Sequence, residues 1–218
     1  MMRNFQSSRI AVIGAGNIGG TLGKLWADAG HQVVFGAADP AAVDPLLAGI
    51  DGNAAAATVS VAIDKAAIVL VAIPFGAWPS FGNKNAARLA DKVVIDATNP
   101  DPGRDGAIAE QALSSDDGSL LFVTEFAPAA LLVKAFNTMQ ASVLRNQAHR
   151  AGARLAYAIA GDHTDAVELV AQLVEDAGFD PVLVGNARTA KRFDRGTSVW
   201  NNPMTADELT KALDLSPT

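Results

Sequence analysis

The sequence predicts an α/β fold: a doubly wound, mostly parallel sheet of about eight strands with a small C-terminal helical tail. Three observations carry this. Short apolar runs recur along the chain, and most are apolar at consecutive positions rather than alternating, as in strands covered on both faces. Helical patterns separate the runs, the order expected of an α/β chain. Half of the 218 residues are hydrophobic and 18% are charged, so the chain has the means to bury one large core.

The runs, in order, are RIAVIGA (Arg9–Ala15), QVVFGA (Gln32–Ala37), ATVSV (Ala57–Val61), AIVLVAIP (Ala67–Pro74), KVVIDATNP (Lys92–Pro100), LLVKAFN (Leu131–Asn137), RLAYAIAG (Arg154–Gly161) and DPVLVGN (Asp180–Asn186). After the first, Ile18, Leu22, Leu25, Trp26 and Ala29 share one helical face, and Gly30 stops that helix. Thr164 to Ala177 repeats the pattern and ends at Gly178. Asp207 to Leu213 reads as a last short helix with Thr205 as its N-cap. Two long segments, Asn99–Ser119 and Ala187–Met204, read as polar connections of the kind that often carry function. No linker divides the chain. Residues 1–218 are expected to form one NAD(P)-binding domain whose extension begins near residue 187.

The bulk properties exclude several functions. A net charge of −6 and a pI near 4.9 argue against nucleic acid and against an anionic membrane surface. The absence of cysteine removes disulfides, thiolate metal sites and thiol nucleophiles. No run reaches membrane-spanning length, and the opening lacks a signal-peptide layout. A cytoplasmic protein is expected.

Gly14, Gly16 and Gly19 form G-x-G-x-x-G between the first strand and the first helix. The first glycine permits the tight turn, the second lets backbone approach a pyrophosphate, and the third lets helix and strand pack closely. The bare N–H groups of the helix start then receive phosphate oxygens. This is the fingerprint of a Rossmann dinucleotide site.

An acid at the end of the second strand, roughly 20 residues past the motif, would bind the ribose of NAD, and a nearby Arg would take the phosphate of NADP. Ala37 and Ala38 offer neither group. Asp39 either swings back to the ribose or caps the helix that Pro40 starts. These residues lean to NAD or to poor discrimination.

The ligand of such a sheet crosses the carboxyl ends of the strands. Pro74 fixes the chain there, and Phe75 and Trp78 offer a flat apolar surface or simply pack. Thr98 and Asn99 follow at the fifth strand. Asn137 and Thr138 follow at the sixth, as second-ring contacts or as caps of a helix starting near Met139. No catalytic acid–base pair and no metal-ligand constellation is found. Lys134 reads as a side chain reaching for the sheet edge.

The chain resembles the coenzyme F-420-dependent NADP oxidoreductases, compact Rossmann reductases related to the reductase domain of the STEAP metalloreductases. The matching stretches are IAVIGAGNIGGTLGKLWADAGHQVVFGA, VLVAIPFGAW, KVVIDATNP, LVKAFNTM and AGDHTDAVELVAQLVEDAGFDPVLVGNARTAKRF. The resemblance implies a pyrophosphate on Gly14, Gly16, Asn17, Ile18 and Gly19. It implies Ile73, Pro74, Phe75 and Asn99 at the nicotinamide end. Asn137 and Thr138, with Met139 beside them, would face the second ring. The Ser-Arg pair that the family places after the second strand is Ala37-Ala38 here. Implied, too, are a homodimer, NADP or NAD as cofactor, and coenzyme F-420 or FMN as second substrate.

The leading expectation is therefore hydride transfer between NAD(P)H and a deazaflavin or flavin, which needs little beyond two aligned rings. Reduction of a small imine or ketone is the second reading, with Lys134 or Tyr157 as proton donor. A non-catalytic dinucleotide sensor is the third.

Overall fold

The computed structural model describes residues 9–215, so the opening read for a leader lies largely outside the described residues. The first four strands are β1 (Ile10–Ile13), β2 (Val33–Ala37), β3 (Ala54–Thr58) and β4 (Ile68–Val71). They are followed by β5 (Val93–Asp96), β6 (Leu131–Lys134), β7 (Ala156–Gly161) and β8 (Asp180–Gly185). They form one sheet in the order β3-β2-β1-β4-β5-β6-β7-β8. The first six make the doubly wound order 3-2-1-4-5-6. All neighbours are parallel except β6 and β7, which pair antiparallel through Val133 with Gly161 and Lys134 with Ala160. The sheet is thus mostly parallel, as predicted, and β7 and β8 run against the other six.

Helices cover both faces: α1 (Asn17–Asp28), α2 (Asp44–Leu47), α3 (Val59–Asp64), α4 (Trp78–Leu89), α5 (Pro102–Asp105), α6 (Ala107–Ser114), α7 (Gly118–Thr124), α8 (Ala141–Gln147), α9 (Thr164–Asp176) and α10 (Ala206–Ala212). Alternate residues of one strand enter opposite cores. Ala11, Val69 and Val94 face one, while Ile10, Val12, Ile68, Leu70, Val93 and Ile95 face the other. This two-sided burial explains why the strands read as unbroken apolar runs. Trp26 on α1 is fully buried, and its indole N–H donates to Leu173 O at 2.8 Å. α1 and α9, far apart in sequence, are thereby fixed on the same face.

Three expectations are corrected. The run Ala57–Val61 is not a strand: β3 ends at Thr58, and Val59 opens α3. Branched side chains suggested a strand, but the edge strand is built from Ala54–Ala57, residues of weak β-preference held by pairing with β2. The segment Asn99–Ser119 is largely helical, carrying α5, α6 and the start of α7. Ala109 and Ala112 on α6 and Leu120 on α7 are fully buried, so a short helical face was hidden among turn-forming residues. Finally, Lys134 does not reach an edge; it is fully buried.

The C-terminal helix agrees with its reading. The Thr205 hydroxyl accepts from Glu208 N, and Thr205 N donates to Glu208 Oε2 at 2.8 Å, closing a capping box. Those hydrogen bonds hold the Glu208 carboxyl below its usual range.

Candidate functional site

The glycine loop links β1 to α1. Gly14 has φ +96°, and a Cβ there would stand 2.5 Å from Ala72 O. A Cβ at Gly19 would stand 2.1 Å from Gly14 O. Both positions exclude side chains for internal reasons. Gly16 differs: a Cβ there would meet nothing within 4 Å. Its φ of −78° and ψ of −160° are open to any residue. Gly16 caps α1 with no side-chain hydrogen bond and no acid in the first turn. The first N–H groups of α1 are therefore not taken by a side-chain cap, and the approach to them is clear. This fits a pyrophosphate.

Two hollows lie near the loop, and loop residues line the first of them. One, of about 610 Å³, runs from Ala15, Gly16 and Asn17 along the outer side of α1 to Leu46 and Arg145. The other, of about 680 Å³, lies over the strand ends. Ile13, Ala37, Ala38 and Ile73 line it with the start of α3. One face of α4 closes it through Ser80, Phe81, Lys84, Asn85 and Arg88. The second hollow has the position that a doubly wound sheet gives the adenosine part of its ligand.

These neighbours revise the expected roles. Ile73 shares the cleft of Ala37 and Ala38, and its Cγ2 would stand 3.2 Å from a Cβ at Gly14. Phe75 is fully buried, and its ring packs on Phe122 with centroids 5.8 Å apart. Trp78 is equally buried. The two rings belong to the core, and the apolar surface read from them is not exposed; Pro74, just before them, is. Asp39 is the N-cap of the 3-10 turn Pro40–Val43 and accepts from Ala41 N at 3.1 Å. Of its two readings, the structure shows the capping one. Lys84 and Arg88 were missed; the signal available was the successive spacing of four from Ser80 to Lys84 to Arg88, which puts all three on one helical face.

At the carboxyl ends of β5 and β6 the strand termini are polar and tightly wired. Lys134 Nζ donates to Asp96 Oδ2 at 2.8 Å and to Thr98 O at 2.7 Å, and both charged side chains are fully buried. Asp96 Oδ1 accepts from the Thr98 hydroxyl at 2.6 Å and from the Trp78 indole at 3.2 Å. The network fixes the turn that presents Asn99. The Asn99 side-chain amide donates to Asn137 O at 2.8 Å, and Asn137 Nδ2 donates back to Asn99 Oδ1 at 3.3 Å. Phe136, with φ +61°, makes the bend between β6 and Asn137. Its ring is held by Trp26 and Tyr157, with centroids 5.7 and 5.0 Å away. A bulky residue in this conformation is strained and must be held by its surroundings.

The extension crosses this end. Asn137 Nδ2 also donates to Phe193 O, and Asn201 N donates to Thr138 O at 2.7 Å. Arg195 pairs with Asp101 at 3.1 Å and stacks over Trp200. Asp194, buried, accepts from Ser119 N at 2.9 Å and from the Ser119 hydroxyl at 2.5 Å. Asn137, Thr138 and Met139 are consequently buried beneath it, each at 5% exposure or less. None of them caps the next helix: the N-cap of α8 is Gln140. Asn137 Oδ1 is buried with no hydrogen-bond partner among the described residues.

Neither proton donor considered for imine or ketone reduction is available. Lys134 is committed to Asp96 and Thr98. Tyr157 is fully buried between Phe136 and Phe179, its hydroxyl unpartnered, and desolvation pushes its phenol well up. No cluster of metal-ligating side chains occurs among the described residues. Arg104 hydrogen-bonds to Asp105 and holds that carboxyl below its ordinary range; Asp101 N and Gly76 N add to the effect. Asp105 thereby joins the loop after β5 to the turn after β4.

Fold and glycine loop define the class: a Rossmann-type fold with the glycine fingerprint of a dinucleotide site. Residues 9–100 match the family described as NADP oxidoreductase, coenzyme F420-dependent. Over that stretch, from β1 to the turn after β5, the resemblance read from the motifs holds. No curated protein matches the chain. Among solved structures, hypothetical protein SMa0349 from Sinorhizobium meliloti aligns over 92% of this chain and 97% of its own, with a TM-score of 0.80 and 25% identity. A provisionally assigned F420-dependent NADP reductase from Arthrobacter sp. FB24 aligns over 84% and 87%, with a TM-score of 0.70 and 26% identity. An imine reductase from Pseudomonas sp. shares the fold, with a TM-score of 0.61 at 16% identity over 84% of this chain and 57% of its own. No helix among the described residues is long and apolar enough to cross a membrane.

Proposed function

We propose that the chain transfers a hydride between NADP(H) and a flat redox ring, a deazaflavin of the F-420 type or a flavin. The single observation that carries this is the makeup of the β5 and β6 ends: a reciprocal pair of neutral amides, Asn99 and Asn137, in place of a proton donor. Imine and ketone reduction need a donor, and the two side chains nominated for it are sealed in the core. Bound NADPH supplies the hydride; the protein's share is orientation and exclusion of water.

The backbone at Asn17, Ile18 and Gly19 holds the pyrophosphate. Ala37 and Ala38 flank the adenosine. Asn99 and Asn137 line the far end, where the free Asn137 Oδ1 accepts from a ring or carboxamide N–H. Access to Asn137 and Thr138 requires the segment Phe193–Asn201 to part from them. The extension belongs to this unit, since Asp194 and Arg195 bind it to Ser119 and Asp101. The protein works as a homodimer in the cytoplasm.

The test is an acceptor screen: NADPH oxidation followed with coenzyme F-420, FMN and a panel of cyclic imines. Turnover with a ring acceptor is expected. Turnover with imines alone would overturn the proposal. Tight binding of NADPH without turnover on any acceptor would favour a sensor.

A further inference from the structure

The dinucleotide reading leaves a gap. The chain lacks the β2-end arginine that would take the 2′-phosphate of NADP, and Asp39, the nearby acid, is turned to Ala41 N. The edge cleft fills this gap from the opposite wall. We infer that Lys84, with Arg88 one turn further along α4, is the 2′-phosphate receptor, so that a helix across the cleft rather than the β2 loop selects NADP. This rests on the dinucleotide reading.

Several features of the cleft point the same way. Ala37, Ala38, Lys84 and Arg88 line one hollow of about 680 Å³, so a group leaving the β2 end faces α4. No Asp or Glu lines it, although the chain has 23 acidic against 17 basic residues. A cleft that used ribose hydroxyls alone would carry an acid there. Lys84 is exposed and has no ion-pair partner among the described residues, so its charge is not already neutralised. Arg88 gives one guanidinium nitrogen, Nη1, to both oxygens of Asp64, at 2.8 and 2.6 Å, leaving Nη2 uncommitted. Thr58 and Ser60 add hydroxyls on the α3 side. A dianionic phosphate between these groups gains charge-assisted hydrogen bonds. Ala37 and Ala38, small residues, leave it room.

The experiment is equilibrium titration of the full chain with NADPH, NADH, adenosine 2′,5′-bisphosphate and adenosine 5′-diphosphate. Wild type should prefer each 2′-phosphorylated ligand. Lys84→Ala should weaken NADPH and the bisphosphate roughly tenfold, as for one charge-assisted contact, and leave NADH and adenosine 5′-diphosphate unchanged. Lys84→Arg should restore the preference, and Lys84→Glu should invert it. Added salt should weaken NADPH more than NADH. Equal weakening of both dinucleotides in Lys84→Ala, or no change in either, would overturn the inference while leaving the dinucleotide reading intact. A wild-type protein that takes no dinucleotide would end both. Melting temperature without ligand checks the fold of each variant; Lys84 is on the surface and should be tolerated.

Discussion

Replacing Gly16 by valine separates a structural glycine from one that makes room for a ligand. A Cβ at Gly16 would have no neighbour within 4 Å, and its backbone dihedrals suit any residue. The free protein should therefore tolerate Gly16→Val. Loss of backbone freedom in the unfolded chain should even favour the fold by about 0.5 kcal/mol. Binding should suffer instead. The valine methyls would stand where the pyrophosphate meets the first N–H groups of α1. Losing two charge-assisted hydrogen bonds, at about 1.5 kcal/mol each, gives about 3 kcal/mol, or roughly 150-fold in affinity. Gly14→Ala should behave oppositely. Its Cβ would press against Ala72 O at 2.5 Å with φ at +96°, so the melting temperature itself should fall. The assay is thermal melting without ligand, beside NADPH titration followed by fluorescence. If Gly16→Val bound NADPH as wild type does, or melted as low as Gly14→Ala, the reasoning about this loop would be refuted.

Other predictions follow from the same geometry. Lys134→Met should cost about 3 kcal/mol, because it strands the Asp96 carboxylate in the core; Lys134→Met with Asp96→Asn should recover part of this, as chemical denaturation would show. Tyr157→Phe removes an unpartnered buried hydroxyl and should raise stability by about 1 kcal/mol while leaving NADPH-dependent turnover unchanged; a collapse of turnover would revive the imine-reductase reading. Ala38→Arg should raise the NADPH-to-NADH affinity ratio several-fold by adding a fork to the cleft of Lys84. The Asp105 carboxyl lies below its ordinary value of 3.8 in the folded chain. Its contribution is thus fully present above that value and is lost as pH falls through the lower folded one; melting below about pH 4 should show a step that Asp105→Asn removes.

Much of the architecture could be read from residues alone, because a parallel sheet covered on both faces leaves an unmistakable run of apolar residues. The glycine loop was equally legible as a strand–turn–helix, since Gly14 and Gly19 answer steric demands within the protein. The failures have physical causes. Val59 and Val61 look like strand residues, yet the strand they suggested is made of the alanines before them, whose pairing with β2 overrides propensity. Phe75 and Trp78 read as a platform for a ring because sequence gives no burial; the Trp78 indole instead closes the Asp96 network. Lys134 is the clearest case. A lysine inside an apolar run signals either a snorkelling side chain or a buried partner, and that partner, Asp96, lies 38 positions earlier on the adjacent strand. The basic face of α4 was visible as a spacing, but nothing local showed that it faced Ala37 and Ala38.

Backbone amide shifts of the protein titrated with NADP give the most direct test of the central claim, that the N–H groups opening α1 grip a diphosphate whose nucleoside lies in the β2–α4 cleft. The account predicts the largest shifts at Asn17, Ile18 and Gly19, with a second group at Ala37, Ala38 and Lys84, all absent in Gly16→Val. Saturable shifts confined to other surfaces, with these amides unmoved, would contradict it.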